Sequence, residues 1–263
     1  MMSASAYLQN TASALLIRES EKESIRRSTA TLRDRVSAYF GSKAKEQIQF
    51  GSSTRGTMLP RRADEQSDVD YMVVFDNSDD LRPATFIERL RKFAKKWYAT
   101  SEIYRSAPTV VLRLNHLMFE LVPAYRNWWT SLYIPAPASV LSDWVSTTPN
   151  DLNQTLDEKN KNNDYQIKPT IRLLKYWNAR NGYVYNSYEF ETWIAGNFFW
   201  ASGSVRNYFF EGVRDMDLEW GAAQWRKDRV ARAKSIVDET ARLDAQGLRA
   251  SAEGEIKKLI PPL

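Results

Sequence analysis

The run Val69-Asp70-Tyr71-Met72-Val73-Val74-Phe75 constrains this chain more than any other stretch. It is β-branched and aromatic, and Asp76-Asn77-Ser78-Asp79 ends it with turn chemistry, so it reads as a largely buried strand. A buried strand needs neighbours in a sheet and a layer to cover it. Ile48-Gln49-Phe50 supplies a short strand running into Gly51. The segments Thr109 to Leu114 and Leu117 to Val122, separated by Asn115-His116, read as a hairpin that lacks the favoured glycine. Thr85 to Tyr98 has helical spacing. Four strands and a covering helix make an α/β lobe.

The flanking sequence has a different rhythm. From Tyr7 to Phe40, apolar residues at Ile25, Leu32, Val36, Tyr39 and Phe40 share one side of a helix, so one long amphipathic helix is expected, with Gly41 as its stop. After Pro135 to Pro137 no strand pattern stands out. Ile171 to Asn178, Glu189 to Trp200, Trp220 to Leu243 and Leu248 to Ile260 all favour helix, and Lys159 to Asp164 reads as a polar linker. The expected organisation is therefore residues 1–140 as a long helix plus a mixed-sheet lobe, and residues 141–263 as a helical lobe. The fold class is α+β. With 263 residues, 43% of them hydrophobic and 13% aromatic, the chain can bury a substantial core.

Composition removes several chemistries. The chain has no cysteine, so disulfides and thiolate metal sites are excluded. Its single histidine, His116, falls in the hairpin turn and reads as structural or exposed; a histidine metal cluster is out. No stretch approaches the roughly 18 apolar residues that span a bilayer. The apolar run Ala14 to Ile17 has no basic region before it and makes a poor signal peptide, so a cytoplasmic protein without a membrane partner is expected. A net charge of +5 suits anionic ligands, but 37 basic against 32 acidic residues is a mixed surface. The short runs Arg91 to Lys96 and Glu255 to Lys258 read as solvated helix faces, and no obligatory nucleic-acid partner is implied. Arg61-Arg62 could meet a phosphate, although a solvated loop is the plainer reading. Core packing of the helical lobe is expected to account for most of the tryptophans at Trp128-Trp129, Trp177, Trp193 and Trp200.

An Asp-x-Asp pair is common by chance, on the order of one in a chain of this length. Asp215-Met216-Asp217 is one such pair, in a helical region where residues two apart diverge, and a solvated or capping role suits it. Asp68 and Asp70 differ. Period two in a strand sends both carboxylates to one face while Val69, Tyr71 and Val73 pack behind them. Two adjacent carboxylates repel and stay ionised most readily beside a cation, and hard oxygen ligands suit Mg²⁺ or Mn²⁺; exposed strand-end acids are the alternative. Seventeen residues earlier, Gly51-Ser52-Ser53-Thr54-Arg55-Gly56-Thr57 ends a strand in glycine and opens a hydroxyl-rich turn whose backbone N–H groups can hold phosphate oxygens. It is not a Walker motif, since no Gly-Lys-Ser/Thr follows. A third carboxylate should come from a neighbouring strand. Glu120, in Met118-Phe119-Glu120-Leu121-Val122-Pro123-Ala124, is the candidate, because a charge within so apolar a strand needs a partner or a metal. Three such acids would complete a two-metal site, with ions roughly 3.5 to 4 Å apart.

Gly-Ser, Asp-x-Asp and a later third acid, in this order, resemble the polymerase-β-like nucleotidyltransferase superfamily. Arg172-Leu173-Leu174-Lys175-Tyr176-Trp177-Asn178, Ser187-Tyr188-Glu189-Phe190-Glu191 and Leu121-Val122-Pro123-Ala124 narrow the resemblance to bacterial cyclic oligonucleotide synthases of the CD-NTase (SMODS) type, relatives of cyclic GMP-AMP synthase. The resemblance runs from about Ile48 to Trp193. It implies a two-lobed polymerase-β-like fold. It also implies that Gly51 and Ser52 contact donor phosphates and that Asp68, Asp70 and Glu120 hold Mg²⁺. Lys175 and Ser187 would grip the triphosphate, and Tyr188 would stack on the donor base. A mobile ammonium, a hydroxyl donor and an aromatic face suit those tasks; a surface helix residue and a core aromatic are the plain alternatives for Lys175 and Tyr188. The family's usual third acid is Asp, and here it is Glu120, one methylene longer.

The expected activity is the joining of two NTPs (ATP, GTP, UTP or CTP) in the interlobe cleft by attack of a ribose hydroxyl on an α-phosphate. Pyrophosphate leaves, and the step repeats to close a ring. The resemblance further implies a monomer that makes a second messenger for anti-phage (CBASS-type) signalling, with effector or regulatory proteins encoded nearby. Two other readings stay open: a transferase that adds nucleotides to RNA or a small acceptor, and an inactive nucleotide-binding scaffold. Asn162 and Asn163 could touch a base edge, or simply sit solvated.

Overall fold

A computed structural model describes residues 3–106, 108–136, 143–200 and 203–263. The chain divides into two compact units, one of Arg18–Gly56 and Gln66–Asp151, the other of Met1–Ile17, Thr57–Glu65 and Leu152–Leu263. The division expected at 140–141 lies outside the described residues, as does Pro137. Residues 1–17 and 57–65, expected in the first lobe, belong to the second unit.

In the first unit, helix α2 (Glu19–Phe40) buries Thr29, Leu32, Val36 and Phe40 along one side and stops at Gly41, whose φ of 53° takes the left-handed region that glycine tolerates. Among the described residues seven strands form one mixed sheet: β1 (Ala44–Phe50), β2 (Val69–Phe75), β3 (Glu102–Ser106), β4 (Thr109–Arg113), β5 (Met118–Arg126), β6 (Leu132–Pro135) and β7 (Trp144–Thr147). The order is β1-β2-β5-β4-β3, with β6 continuing from β5 and β7 from β6. Among the described residues only β2 and β5 run parallel; the other pairs are antiparallel. Helix α4 (Pro83–Trp97) starts with proline in its first turn and buries Phe86, Ile87, Leu90, Phe93 and Ala94, a stripe at helical spacing. Phe75 meets Phe86 at 5.3 Å and Phe40 at 5.0 Å between ring centroids. The alternate residues Met72 and Val74 pack with Ala124, Leu132, Ile48 and Phe50.

The second unit is helical: α1 (Ala4–Ala14), α6 (Ile167–Arg180), α7 (Ser187–Gly196), α8 (Val205–Asp215), α9 (Gln224–Ala245) and α10 (Arg249–Ile256), entered through α5 (Asp151–Asn162). Its centre is α6, in which every residue from Thr170 to Asn178 is buried. Such a helix must be surrounded on all sides. Leu8, Leu15, Phe190, Ile194, Phe209, Val237 and Ile256 belong to its core. The Tyr7 hydroxyl donates to the Ile260 carbonyl at 2.7 Å, tying α1 to the end of the chain.

Several expectations give way. The single helix from Tyr7 to Phe40 is two, broken after Ala14, because Leu15 is drawn fully into the helical core, a tertiary demand without a proline or glycine to announce it. Strands β3, β6 and β7 were not legible, being only four or five residues long. Lys159 to Asn162, expected as linker, is the end of α5, where the buried Asn160 side chain accepts from Lys168 N at 2.9 Å. Trp177 is buried, but Trp128 (99% exposed), Trp129 and Trp200 are not core residues. His116 lies in the turn after β4, with its Nε2 2.8 Å from Ser28 Oγ. No described helix is long and apolar enough to cross a membrane.

Phe209, fully buried in α8, is expected to cost about 3–5 kcal/mol when replaced by alanine; a urea unfolding curve of Phe209→Ala against wild type measures it.

Candidate active site

Sheet register assembles the acids. Antiparallel pairing of β1 with β2 puts Phe50 opposite Asp70, so the chain leaving β1 at Gly51 passes directly over the Asp70 side chain. Parallel pairing of β2 with β5 then sets Asp70 beside Glu120, which lies opposite Val111 of β4. Asp68 stands just before β2, two residues from Asp70 and therefore on its face. The result is that Asp68, Asp70 and Glu120 each offer one carboxylate oxygen, all within 4.8 Å of one another.

Gly51 is required twice over. Its φ is 76°, and a Cβ built there would fall 1.7 Å from Asp70 Oδ2 and 2.6 Å from its Cγ. No L side chain fits, and the carboxylate lies against bare backbone instead. The following turn, α3 (Ser52–Arg55), is held locally. The Thr54 hydroxyl donates to the Gly51 carbonyl at 2.9 Å and the Ser53 hydroxyl to the Phe50 carbonyl at 3.1 Å. Ser52, half-buried, has no such bond among the described residues.

On the third acid, Thr109 Oγ1 lies 2.5 Å from Glu120 Oε1. Thr109 is buried, and it orients a side chain with one more rotatable bond than aspartate would have. Three carboxylates this close repel one another unless a cation sits among them. An all-oxygen, all-anionic set is the donor chemistry of Mg²⁺ or Mn²⁺, and the residues fit such an ion.

The other expected residues lie in the helical unit. Lys175 is no surface residue: it is 8% exposed, and its Nζ lies 3.5 Å from Oε2 of Glu191, itself 1% exposed. Glu191 also accepts from the Thr57 hydroxyl. Burial pushes the neighbouring Arg172 guanidinium down to about 10, still charged at neutral pH. Ser187 opens α7, where the Asn186 side chain caps the helix by accepting from Tyr188 N at 3.0 Å and Glu189 N at 3.2 Å. Tyr188 is 61% exposed and so is not a core aromatic. Tyr185, Phe190 and Trp193 stack in a column with centroid spacings of 4.5 and 5.7 Å.

The second Asp-x-Asp lies at the end of α8, with Asp217 already past the helix, and both acids take structural hydrogen bonds. Asp215 accepts from Asn197 at 3.1 Å, and the Asp217 side chain takes the backbone N–H of Leu218. Arg62 donates to the Ala14 carbonyl. Sequence reasoning passed over Thr109, Thr57 and Glu191. Only Glu191 carried a signal, as a charge one position after Phe190 and two before Trp193, which needs a partner when buried.

Residues 2–160 match the Second Messenger Oligonucleotide or Dinucleotide Synthetase (SMODS) domain. This chain belongs to the SMODS family. A Bacillus cereus (strain VD146) protein named "Probable cyclic nucleotide synthase" is 29% identical to it over 208 residues, covering 63% of this chain and 61% of the relative's length. Among solved structures, the CD-NTase CdnG of Bradyrhizobium diazoefficiens in complex with GTP superposes with a TM-score of 0.68 at 12% identity, covering 98% of both chains. Vibrio cholerae DncV in its apo form gives 0.70 at 8% identity, over 94% of this chain and 91% of that one. At such identities these likenesses establish the fold of the SMODS chain, a mixed sheet with helices of the polymerase-β-like type.

Two variants test these contacts. Gly51→Ala is expected to displace the Asp70 carboxylate and weaken Mn²⁺ binding about tenfold or more, read by calorimetry. Glu191→Ala, which leaves Lys175 buried without its carboxylate, is expected to cost about 3–5 kcal/mol in urea unfolding.

Proposed function

We propose that this protein is a metal-dependent nucleotidyltransferase that joins NTPs into a cyclic di- or oligonucleotide. The observation that carries the reading is the convergence of Asp68, Asp70 and Glu120 within 4.8 Å, with Asp70 pressed against Gly51. Strand pairing and a glycine that admits no side chain hold these carboxylates at a mutual distance where they repel one another without a cation. Asp68, Asp70 and Glu120 would hold Mg²⁺ or Mn²⁺. When bound, the metal supplies Lewis-acid stabilisation of charge on the α-phosphate and eases ionisation of the attacking hydroxyl.

The chain's own residues do the rest. Gly51 and Ser52 present a backbone free of Cβ and a hydroxyl to donor phosphates. Lys175 and Ser187 bind the triphosphate, and Tyr188 offers an open ring face for the donor base, which needs no edge-specific contact. Glu120, oriented by Thr109, is the carboxylate that receives the proton of the ribose hydroxyl as it attacks the α-phosphate. Pyrophosphate departs, and a second attack of the same kind closes the ring. Relatives of this fold have been solved with GTP and with ATP, which makes purine NTPs the first substrates to try. On this reading the product is a second messenger made in the cytoplasm for anti-phage signalling, read by an effector.

The test is incubation with each radiolabelled NTP and Mg²⁺ or Mn²⁺, then phosphatase treatment and mass spectrometry. A phosphatase-resistant cyclic product is expected; only linear or RNA-tailed products would refute the cyclase reading. Glu120→Gln is expected to cut synthesis by at least ~10²-fold while leaving NTP binding nearly intact. Turnover like that of wild type would remove Glu120 from the site.

A further inference from the structure

The helical unit has a cavity of about 230 Å³ at the C-terminal end of α6, floored by the buried Trp177 and ringed by Arg180, Arg229, Arg232 and Lys258. No carboxylate lines it. Arg229 and Arg232 are one turn apart on α9, Arg180 is the last residue of α6, and Lys258 follows α10, so three separate elements point cations at one place.

Other arginines of the helical unit have acid partners: Arg206 with Asp244, Arg214 with Asp238, and Arg242, on the same helix α9, with Glu239. At the cavity only Lys258 has an acid, Glu255. Among the described residues Arg180, Arg229 and Arg232 form no ion pair. Arg180 is partly compensated by the carbonyl end of α6. Arg229 and Arg232 lie mid-helix, where no such compensation exists, and three guanidiniums held together without an anion repel one another.

We propose that this cavity is a binding site for a phosphate polyanion, separate from the carboxylate site. Guanidinium forks match phosphate oxygens bidentately, and three of them around one hollow select for more than one phosphate group. The volume lies below the roughly 300–1,000 Å³ of pockets that enclose a drug-sized ligand. It therefore takes a condensed phosphate, either inorganic or the phosphate end of a nucleotide whose base stays outside. The inference rests neither on the acidic triad nor on the family.

The test is calorimetry on the full chain in EDTA, with inorganic tripolyphosphate and ATP as probes. The doubly substituted R229E/R232E protein, altered only at exposed helix positions, should keep its melting temperature and lose about tenfold or more in tripolyphosphate affinity. The loss caused by R229E/R232E should persist in a Ser187→Ala, Tyr188→Ala background, which removes the contacts proposed for the donor nucleotide. Parallel loss for ATP assigns the site to the phosphate end of a nucleotide; loss for tripolyphosphate alone assigns it to condensed inorganic phosphate. Unaltered tripolyphosphate affinity in R229E/R232E would overturn the proposal. So would disappearance of that loss in the Ser187/Tyr188 background, or binding of duplex DNA in place of either small probe.

Discussion

The carboxylate of Asp70 resting on the backbone of Gly51 is the contact on which the site depends. It joins two facts that are remote in sequence: a strand that ends without a side chain, and a strand that begins with a charge. Pairing Phe50 with Asp70 fixes where the first passes over the second. The parallel neighbour β5 then sets Glu120 beside Asp70, with no freedom left in the sheet to separate them. A slip of one residue in either pairing would turn an acid to the opposite face, since side chains alternate. The apolar packing of Met72, Val74 and Ala124 on the same face makes such a slip expensive.

That coupling explains what could be read from sequence. Val69–Phe75 was legible because its apolar run and turn chemistry are both local, and its bounds agree with the structure. Glu120 was legible because a charge within Met118–Val122 is a conflict that something must resolve. Gly51 could be suspected as a turn glycine, but the 1.7 Å conflict of a Cβ with Asp70 is a tertiary fact.

The misses are tertiary in the same way. Short strand β6 exists because β5 offers an edge to pair with, and β7 because β6 does in turn; four-residue segments hold too little pattern to declare it. The break between α1 and α2 has no helix-stopping residue; it follows from the claim of the helical core on Leu15. The tryptophans misled for another reason. Composition places aromatics in cores on average, whereas Trp128 and Trp129 sit on the turn between β5 and β6, where a short hairpin leaves them no partner layer.

The pairing of Lys175 with Glu191 changes what that lysine can do. An isolated ammonium attracts any passing anion, but one already neutralised in a buried setting responds only to a ligand that outbids a carboxylate 3.5 Å away. A singly charged phosphate ester brings little more than Glu191 already provides, while a triphosphate brings several charges at once. If Lys175 binds the triphosphate as proposed, the ion pair sets a threshold on ligand charge. Selectivity of this kind is built from an acid that never needs to touch the ligand.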